Sequence, residues 1–417
     1  MNAVPLPRSK MTRARWALLA SLYMTQYVGQ GFLLISLPVI MRGHGAPLEQ
    51  LGLVYLLGIF WIVKFLWAPL VDSVSFGVHG HYRAWLLLTQ GGMLAVLPLI
   101  GQCRLPDQFY LIIALGLLHS LFSATQDIAS DALAYTLLLP SERALGSSVQ
   151  TAGGLLGNII GGGLVLMAYP YVGWRGCSWL LAGTVALCFI QLLVFSEPAH
   201  TSLIRLSGGM KRIVTFWKEE GHACWLLLLA CYALGIGMVW GIIPPMLADC
   251  GWSVGRIGFT VNIAGSLVGM AGAVLSGRLV KSLGRKRMLW TTSACVISSL
   301  CVMAVSSSVE IGSLPLQILI LSYFAGMSPA MVLLPTLMLD HASPESPATD
   351  YTVQFCALTA IQYISGGLSI VVAGSVGYTN ILIAGIAAEF FALLLVSRFV
   401  LPRGAGGEDA ASPYGTR

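Results

Sequence analysis

The stretch LLHSLFSATQDIASDALAYTLLLP, Leu117 to Pro140, is apolar at both ends and holds two carboxylates, Asp127 and Asp131, in its middle. Gln126 sits beside the first acid and His119 lies upstream. The chain around this stretch is equally greasy: 56% of its 417 residues are hydrophobic, 10% are charged, and the mean hydropathy is +0.80. A soluble domain carries about 25% charged residues. The stretch therefore reads as a membrane-spanning helix, because hydrocarbon satisfies no backbone group and a helix of about 20 residues satisfies its own. Long continuous apolar runs exclude a barrel, which would show short alternating segments.

Twelve such runs follow one another, at 16–40, 51–71, 84–101, 109–138, 144–168, 174–196, 222–248, 256–279, 289–308, 313–339, 351–374 and 379–400. The first follows Arg8, Lys10, Arg13 and Arg15, but it is too long for a signal peptide and has no small-residue cleavage site, so it reads as the first helix. The expected architecture is an all-α polytopic membrane protein of twelve helices in two six-helix halves, 1–196 and 222–400. A cytoplasmic linker, 197–221, joins them, and a cytoplasmic tail, 401–417, follows. Placing both termini inside puts 18 of the 23 Lys and Arg on the cytoplasmic side and 4 outside, with Lys64 within a span. That bias fits the preference of cytoplasmic loops for positive charge. The net charge of +6 follows from this topology, so no nucleic-acid partner is expected. Arg205, Lys211, Arg212 and Lys218 make the linker suited to an amphipathic helix on the cytoplasmic face.

The nine cysteines form no CxxC pair and no spacing suited to a metal, so they read as small buried hydrophobes. No GxxxxGK[ST] loop and no HExxH pair occurs. No metal, cofactor or enzymatic activity is expected, and the chain is expected to act as a monomer. A membrane enzyme would need a clustered catalytic set, for which the aspartate pair alone qualifies. A channel should lack repeated halves and conduct without coupling to protons.

Asp127 and Asp131 lie one helical turn apart and share a face. His119, Ser123, Asp127, Asp131 and Tyr135 step by four along it. A charged residue in a span costs at least about 2.5–3.5 kcal/mol, so the pair must face protein or a water-filled cavity and needs a partner. Counting from the cytoplasmic ends places Lys64 at the depth of Asp131, which leaves Asp127 one turn deeper and free to take a proton. A purely structural ion pair is the alternative. Gln26, Gln30, Asn158, Asn262, Gln354 and Gln362 also lie in spans. With His119, Gln126 and Tyr323 they are candidate cavity groups, although each alone is also a common interhelical hydrogen-bonder. Glu389 is a lone acid in span twelve, open to either reading.

A trace of duplication links the halves: RALGSSVQ (143–150) precedes span five, PATDYTVQ (347–354) precedes span eleven, and both end in Val-Gln, with Gln150 and Gln354 204 residues apart. The same offset aligns Asp127 with Met331 and Asp131 with Pro335, so the second half lacks the carboxylate pair. Gly153, Gly157 and Gly161 in span five, and Gly265, Gly269, Ala273 and Gly277 in span eight, recur every four residues. Such grooves admit close helix approach, either as plain packing or as a sliding contact between halves.

The loop GRLVKSLGRKR (277–287) resembles the loop between the second and third helices of each half in the major facilitator superfamily, with Gly277, Leu279, Gly284, Arg285 and Lys286 matching and Lys281 in place of the usual acid. The first-half segment keeps the acid as Asp72 and a basic end as Arg83. KFLWAPLVDS (64–73), SATQDIASDALAYTLL (123–138) and ATDYTVQ (348–354) resemble the branch of that superfamily that holds bacterial muropeptide permeases and acetyl-CoA transporters. Within it the chain looks most like the RhtX/FptX siderophore permeases, of the rhizobactin and pyochelin type. The short polar tail favours that group over muropeptide permeases, which often carry further helices. The resemblance implies an importer in the bacterial inner membrane, driven by the proton motive force and carrying a siderophore or its ferric complex. Asp127, Asp131 and Lys64 would couple protons, and Asp72, Arg83, Gly284, Arg285 and Lys286 would form gating loops. A muropeptide permease of the same branch is the alternative.

Overall fold

The computed structural model describes residues 11–43, 53–75, 80–198, 206–252, 256–257, 259–306 and 312–398. Arg8, Lys10 and the tail 401–417 lie outside the described residues. Among those described, every regular element is helical. Ten helices are long and apolar enough to cross a bilayer, and Leu56–Leu66 is a shorter apolar one. The longest apolar run, Pro140–Val194, is two spans: Gly173, at φ +66, takes a backbone conformation open to glycine and breaks the helix Val165–Val194. Twelve apolar segments result, and they fall where the sequence places them.

Local chemistry sets the ends of these segments. The side chain of Thr12 accepts from the backbone N–H of Arg15 at 3.3 Å and caps span one (Arg13–Gln30, continued through a π-helical turn to Gly43). Pro347 occupies the first turn of span eleven (Pro347–Val376), where a missing N–H costs nothing. The linker is helical over Leu206–Thr215, as its charge pattern suggests, and this helix packs on spans two and eleven.

Lipid tails give helices no hydrophobic reason to associate, so close packing of small residues carries much of the load. The span-five glycines show this, but not where a sliding contact would put them. A side chain at Gly161 would run into the carbonyl oxygen of Val28, and one at Gly157 into that of Met24. Both face span one, within the same group of six helices. The span-eight stripe divides its contacts. Gly265 lies against Phe324 of span ten, whereas Gly277 lies against Ser148 of span five and closes the seam between the two halves.

Span eleven crosses that seam as well, packing on spans two and four. The apolar cores reflect the crossing. Ala348 joins Leu19, Tyr82, Ile128 and Leu133 of the first six helices, and Tyr135 joins Trp225, Tyr232, Leu334 and Met338 of the last six.

Candidate functional site

Span four is one unbroken helix, Phe109–Leu137, and its residues from Ser123 to Tyr135 are all buried. From His119 to Asp131 the stripe predicted on it faces spans one and two, whereas Tyr135 joins the core of the last six helices. Ser123 donates to the Gln26 carbonyl at 2.9 Å, and the His119 ring fills the space left by the missing side chain of Gly29. Asp127 pairs with Lys64, whose side chain is fully buried. The ammonium of Lys64 also lies 4.8 Å from the Trp61 ring centroid and 4.3 Å from that of Phe355.

The expected pairing of Lys64 with Asp131 is therefore not formed. Counting from the helix ends assumes a uniform rise, and span two does not have one. Lys64–Leu66 is a 3-10 turn, followed by a break at Trp67 before the helix Ala68–Ser73. A 3-10 turn rises about 2.0 Å per residue against 1.5 Å in an α-helix, so these three residues add about 1.5 Å of the roughly 6 Å between the levels of Asp131 and Asp127, and the long flexible Lys64 side chain reaches the rest of the way.

Asp131 is held by hydroxyl and amide donors instead. Tyr23 Oη donates to its Oδ1 at 3.0 Å, and Gln150 Nε2 donates to the same atom at 2.9 Å. Its Oδ2 is buried without a hydrogen-bond partner. Gln150 in turn accepts from Tyr351 Oη at 3.1 Å. Tyr351 and Phe355 sit one turn apart on span eleven, with rings stacked at 17°. One helix of the second half thus reaches both acids, Asp131 through Gln150 and Asp127 through Lys64.

The other predicted cavity groups separate by depth. Gln30, Asn158 and Gln362 keep partial exposure, whereas Gln26, His119, Gln126 and Tyr323 are buried. Gln126 donates to the Leu22 carbonyl at 3.0 Å. Gln354 is bound on three sides, accepting from Trp225 at 2.6 Å and donating to the carbonyls of Met338 and Asp350 at 3.1 and 2.8 Å. The repeated glutamines have therefore diverged: Gln150 bridges the halves and Gln354 braces the second.

The end of the bundle that carries the linker helix is closed by charge. Asp72 accepts from the backbone N–H of Ala348 and Thr349 at 3.1 and 2.8 Å, from the Thr349 hydroxyl at 2.7 Å and from Tyr82 at 3.0 Å. An anion at the N-terminus of span eleven meets its orphan N–H groups and its dipole. Arg285, the first residue of the helix Arg285–Ser306 that follows Gly284 (φ +76), lies 2.5 Å from Asp340, and Arg143 of the first half lies 2.9 Å from the same carboxylate. Arg212 of the linker helix grips Asp350 with two bonds, at 2.6 and 2.9 Å, and these hold its guanidinium above its ordinary pKa. Arg83 works within its own half. It donates to the carbonyls of Leu192 and Leu193, both at 2.9 Å, while Glu197 accepts from its backbone N–H at 2.7 Å. Burial pushes the Glu197 carboxyl up from its ordinary value against the pull of that bond.

Sequence reasoning missed Tyr23, Gln150, Tyr351, Arg143, Asp340, Arg212 and Asp350. Gln150 carried a signal, as one of two repeated Val-Gln positions; the others are unremarkable until the helices are assembled.

Two six-helix groups closed around a buried charge cluster invite comparison with known transporters. The model of the Major Facilitator Superfamily matches residues 19–370. This chain belongs to that superfamily. This membership agrees with the ten long apolar helices in making it a multi-pass membrane protein. An anhydromuropeptide permease of Escherichia coli (strain K12) is 30% identical over 261 residues, covering 61% of this chain and 53% of the relative. The chain thus spans about half the length of that relative. A putative transporter AmpG 4 of Rickettsia felis is 24% identical over 277 residues, covering 62% of this chain and 65% of its own. A crystal structure of the superfamily transporter FucP in its outward conformation shares the fold, with a TM-score of 0.70 at 15% identity over 92% of this chain and 99% of that one.

Proposed function

We propose that this superfamily member is a proton-driven permease of the bacterial inner membrane that imports anhydromuropeptide-type cargo by alternating access. Both termini and the linker lie on the cytoplasmic side, in keeping with the distribution of Lys and Arg. The observation that carries the coupling is the grip of span eleven on the acid cluster, through Tyr351 and Gln150 to Asp131 and through Phe355 to Lys64. When the halves part at the linker end, both contacts break together. The environment of the two carboxyls then depends on which face of the bundle is open, as a coupled carrier requires.

The Lys64–Asp127 pair supports exchanging the roles that the sequence suggested for the two acids. Lys64 neutralises Asp127, which leaves Asp131, with its unpartnered Oδ2, as the group that takes the proton. The partly exposed Gln30, Asn158 and Gln362, with the exposed Tyr363, are the groups offered to the sugar and peptide of the cargo. Amides match its hydrogen-bonding groups and an aromatic ring matches the apolar face of a sugar.

Muropeptide cargo is supported by what the Escherichia coli relative is named for. The siderophore reading rests on resemblance in the sequence and becomes the rival outcome of the test. Spheroplasts expressing the chain would be given labelled anhydromuropeptide or ferric pyochelin, with and without a protonophore. Muropeptide uptake abolished by the protonophore is expected. Gln150→Leu should lower this driven uptake while sparing exchange of cargo across the membrane, because it cuts the link to Asp131 and not the cargo path. Uptake of ferric pyochelin alone would overturn the cargo, and protonophore-resistant uptake would overturn the coupling.

A further inference from the structure

The second half holds an acid that the coupling cluster does not use. Glu389 sits midway along span twelve (Tyr378–Arg398), with 1% of its surface exposed. Its Oε2 has no hydrogen-bond partner, and its environment is burial alone, with no cation acting on it. The second-half cations Arg256, Arg278, Lys281, Arg285, Lys286, Arg287 and Arg398 all fall at or near helix ends.

The surroundings are shaped for a carboxyl group. A Cβ added to Gly235 of span seven (His222–Asp249) would stand 2.9 Å from Glu389 Oε1 and 3.0 Å from its Cγ, so the glycine leaves the space that the acid fills. The titratable groups that feel its charge are Cys231 and Tyr232 on span seven and Tyr323 on span ten (Ser313–His341). The Tyr232 hydroxyl is engaged with Ser293 at 2.7 Å. The Tyr323 hydroxyl is buried and unpartnered, as is Glu389 Oε2. An ionised carboxylate is costly to bury in such a place, and no hydrogen-bond donor reaches Glu389 Oε2 to offset it. A neutral acid needs far less, because it carries no charge into the apolar surroundings.

The wall of this space is joined to the moving parts. Span seven also packs closely on span eleven, where side chains at Gly237 and Gly241 would meet Ser365 and the carbonyl of Gly366. Span eleven is the helix that touches the first-half cluster.

We propose that Glu389 is a second proton-binding site, housed within the second half and separate from the Lys64–Asp127–Asp131 cluster. Its proton is held between spans seven, ten and twelve and is exchanged when span seven shifts with span eleven.

The test needs no cargo, so its failure is distinct from a failure of the proposed function. Infrared spectra of the full chain in lipid nanodiscs would be recorded from neutral to alkaline pH. A protonated-carboxyl band is expected that Glu389→Gln lacks, that Asp131→Asn retains, and that disappears reversibly on raising the pH. The melting temperature should fall with rising pH in the native chain and fall less in Glu389→Gln. Identical spectra for the native chain and Glu389→Gln would overturn the proposal, as would a Glu389 band that never titrates. Should Glu389→Gln fail to fold, Gly235→Ala narrows the space and keeps the acid. An unmoved band and midpoint in that variant would overturn the proposal equally.

Discussion

Arg143 and Arg285 touch the same carboxylate, and their removal should push the transporter in opposite directions. Asp340 and Arg285 belong to the second half, so their bond persists whichever face is open. The bond from Arg143 crosses the seam and exists while the linker end is closed. Arg143→Ala therefore removes a contact made in the closed state alone. The side chains are 9% and 6% exposed, so salt screens them little. A hydrogen bond between charged groups contributes about 1.5–3 kcal/mol, and each 1.4 kcal/mol is tenfold in an equilibrium, so closure should weaken by roughly 10- to 100-fold. Arg285→Ala does the reverse. It leaves Asp340 unpaired in the open state and still held by Arg143 in the closed one, so closure should strengthen by a similar factor. The assay is a pulsed electron-resonance distance distribution between spin labels at Ser141 and Glu345, two exposed positions on opposite halves at the linker end. Equal opening in both variants, or no movement in Arg143→Ala, would refute the reasoning and reduce the three residues to a local brace.

Two further outcomes follow from the packing. Lys64→Ala should cost about 3–5 kcal/mol by stranding Asp127, and Lys64→Ala/Asp127→Ala should recover most of the lost melting temperature; a double variant as weak as the single one would deny the pair. Gly161→Ala should destabilise the fold by about 1–3 kcal/mol or more because its side chain meets the backbone of span one, whereas Gly163→Ala, which meets nothing within 4 Å, should melt with the native chain. Equal melting temperatures would show that spans one and five do not approach as described.

The sequence by itself determined the class of architecture. Runs of about 20 apolar residues have one way to satisfy their backbones in hydrocarbon, so the spans, the linker helix and the burial of Asp127 and Asp131 were all legible in the order of residues. It also pointed to Lys64 as the cation of that cluster and to Asp72 and Arg285 as charges at the linker end. Which acid Lys64 meets was not legible, because depth depends on the local helix pitch and on which way a long flexible side chain extends. Nor was the direction of the span-five glycines, since spacing shows that a groove exists and not which helix fills it. Tyr351 and Arg143 gained their roles from the tertiary structure alone: Tyr351 lies 201 residues from Gln150 and Arg143 lies 197 from Asp340, and local pattern carries no information about contacts made between helices so far apart in the chain.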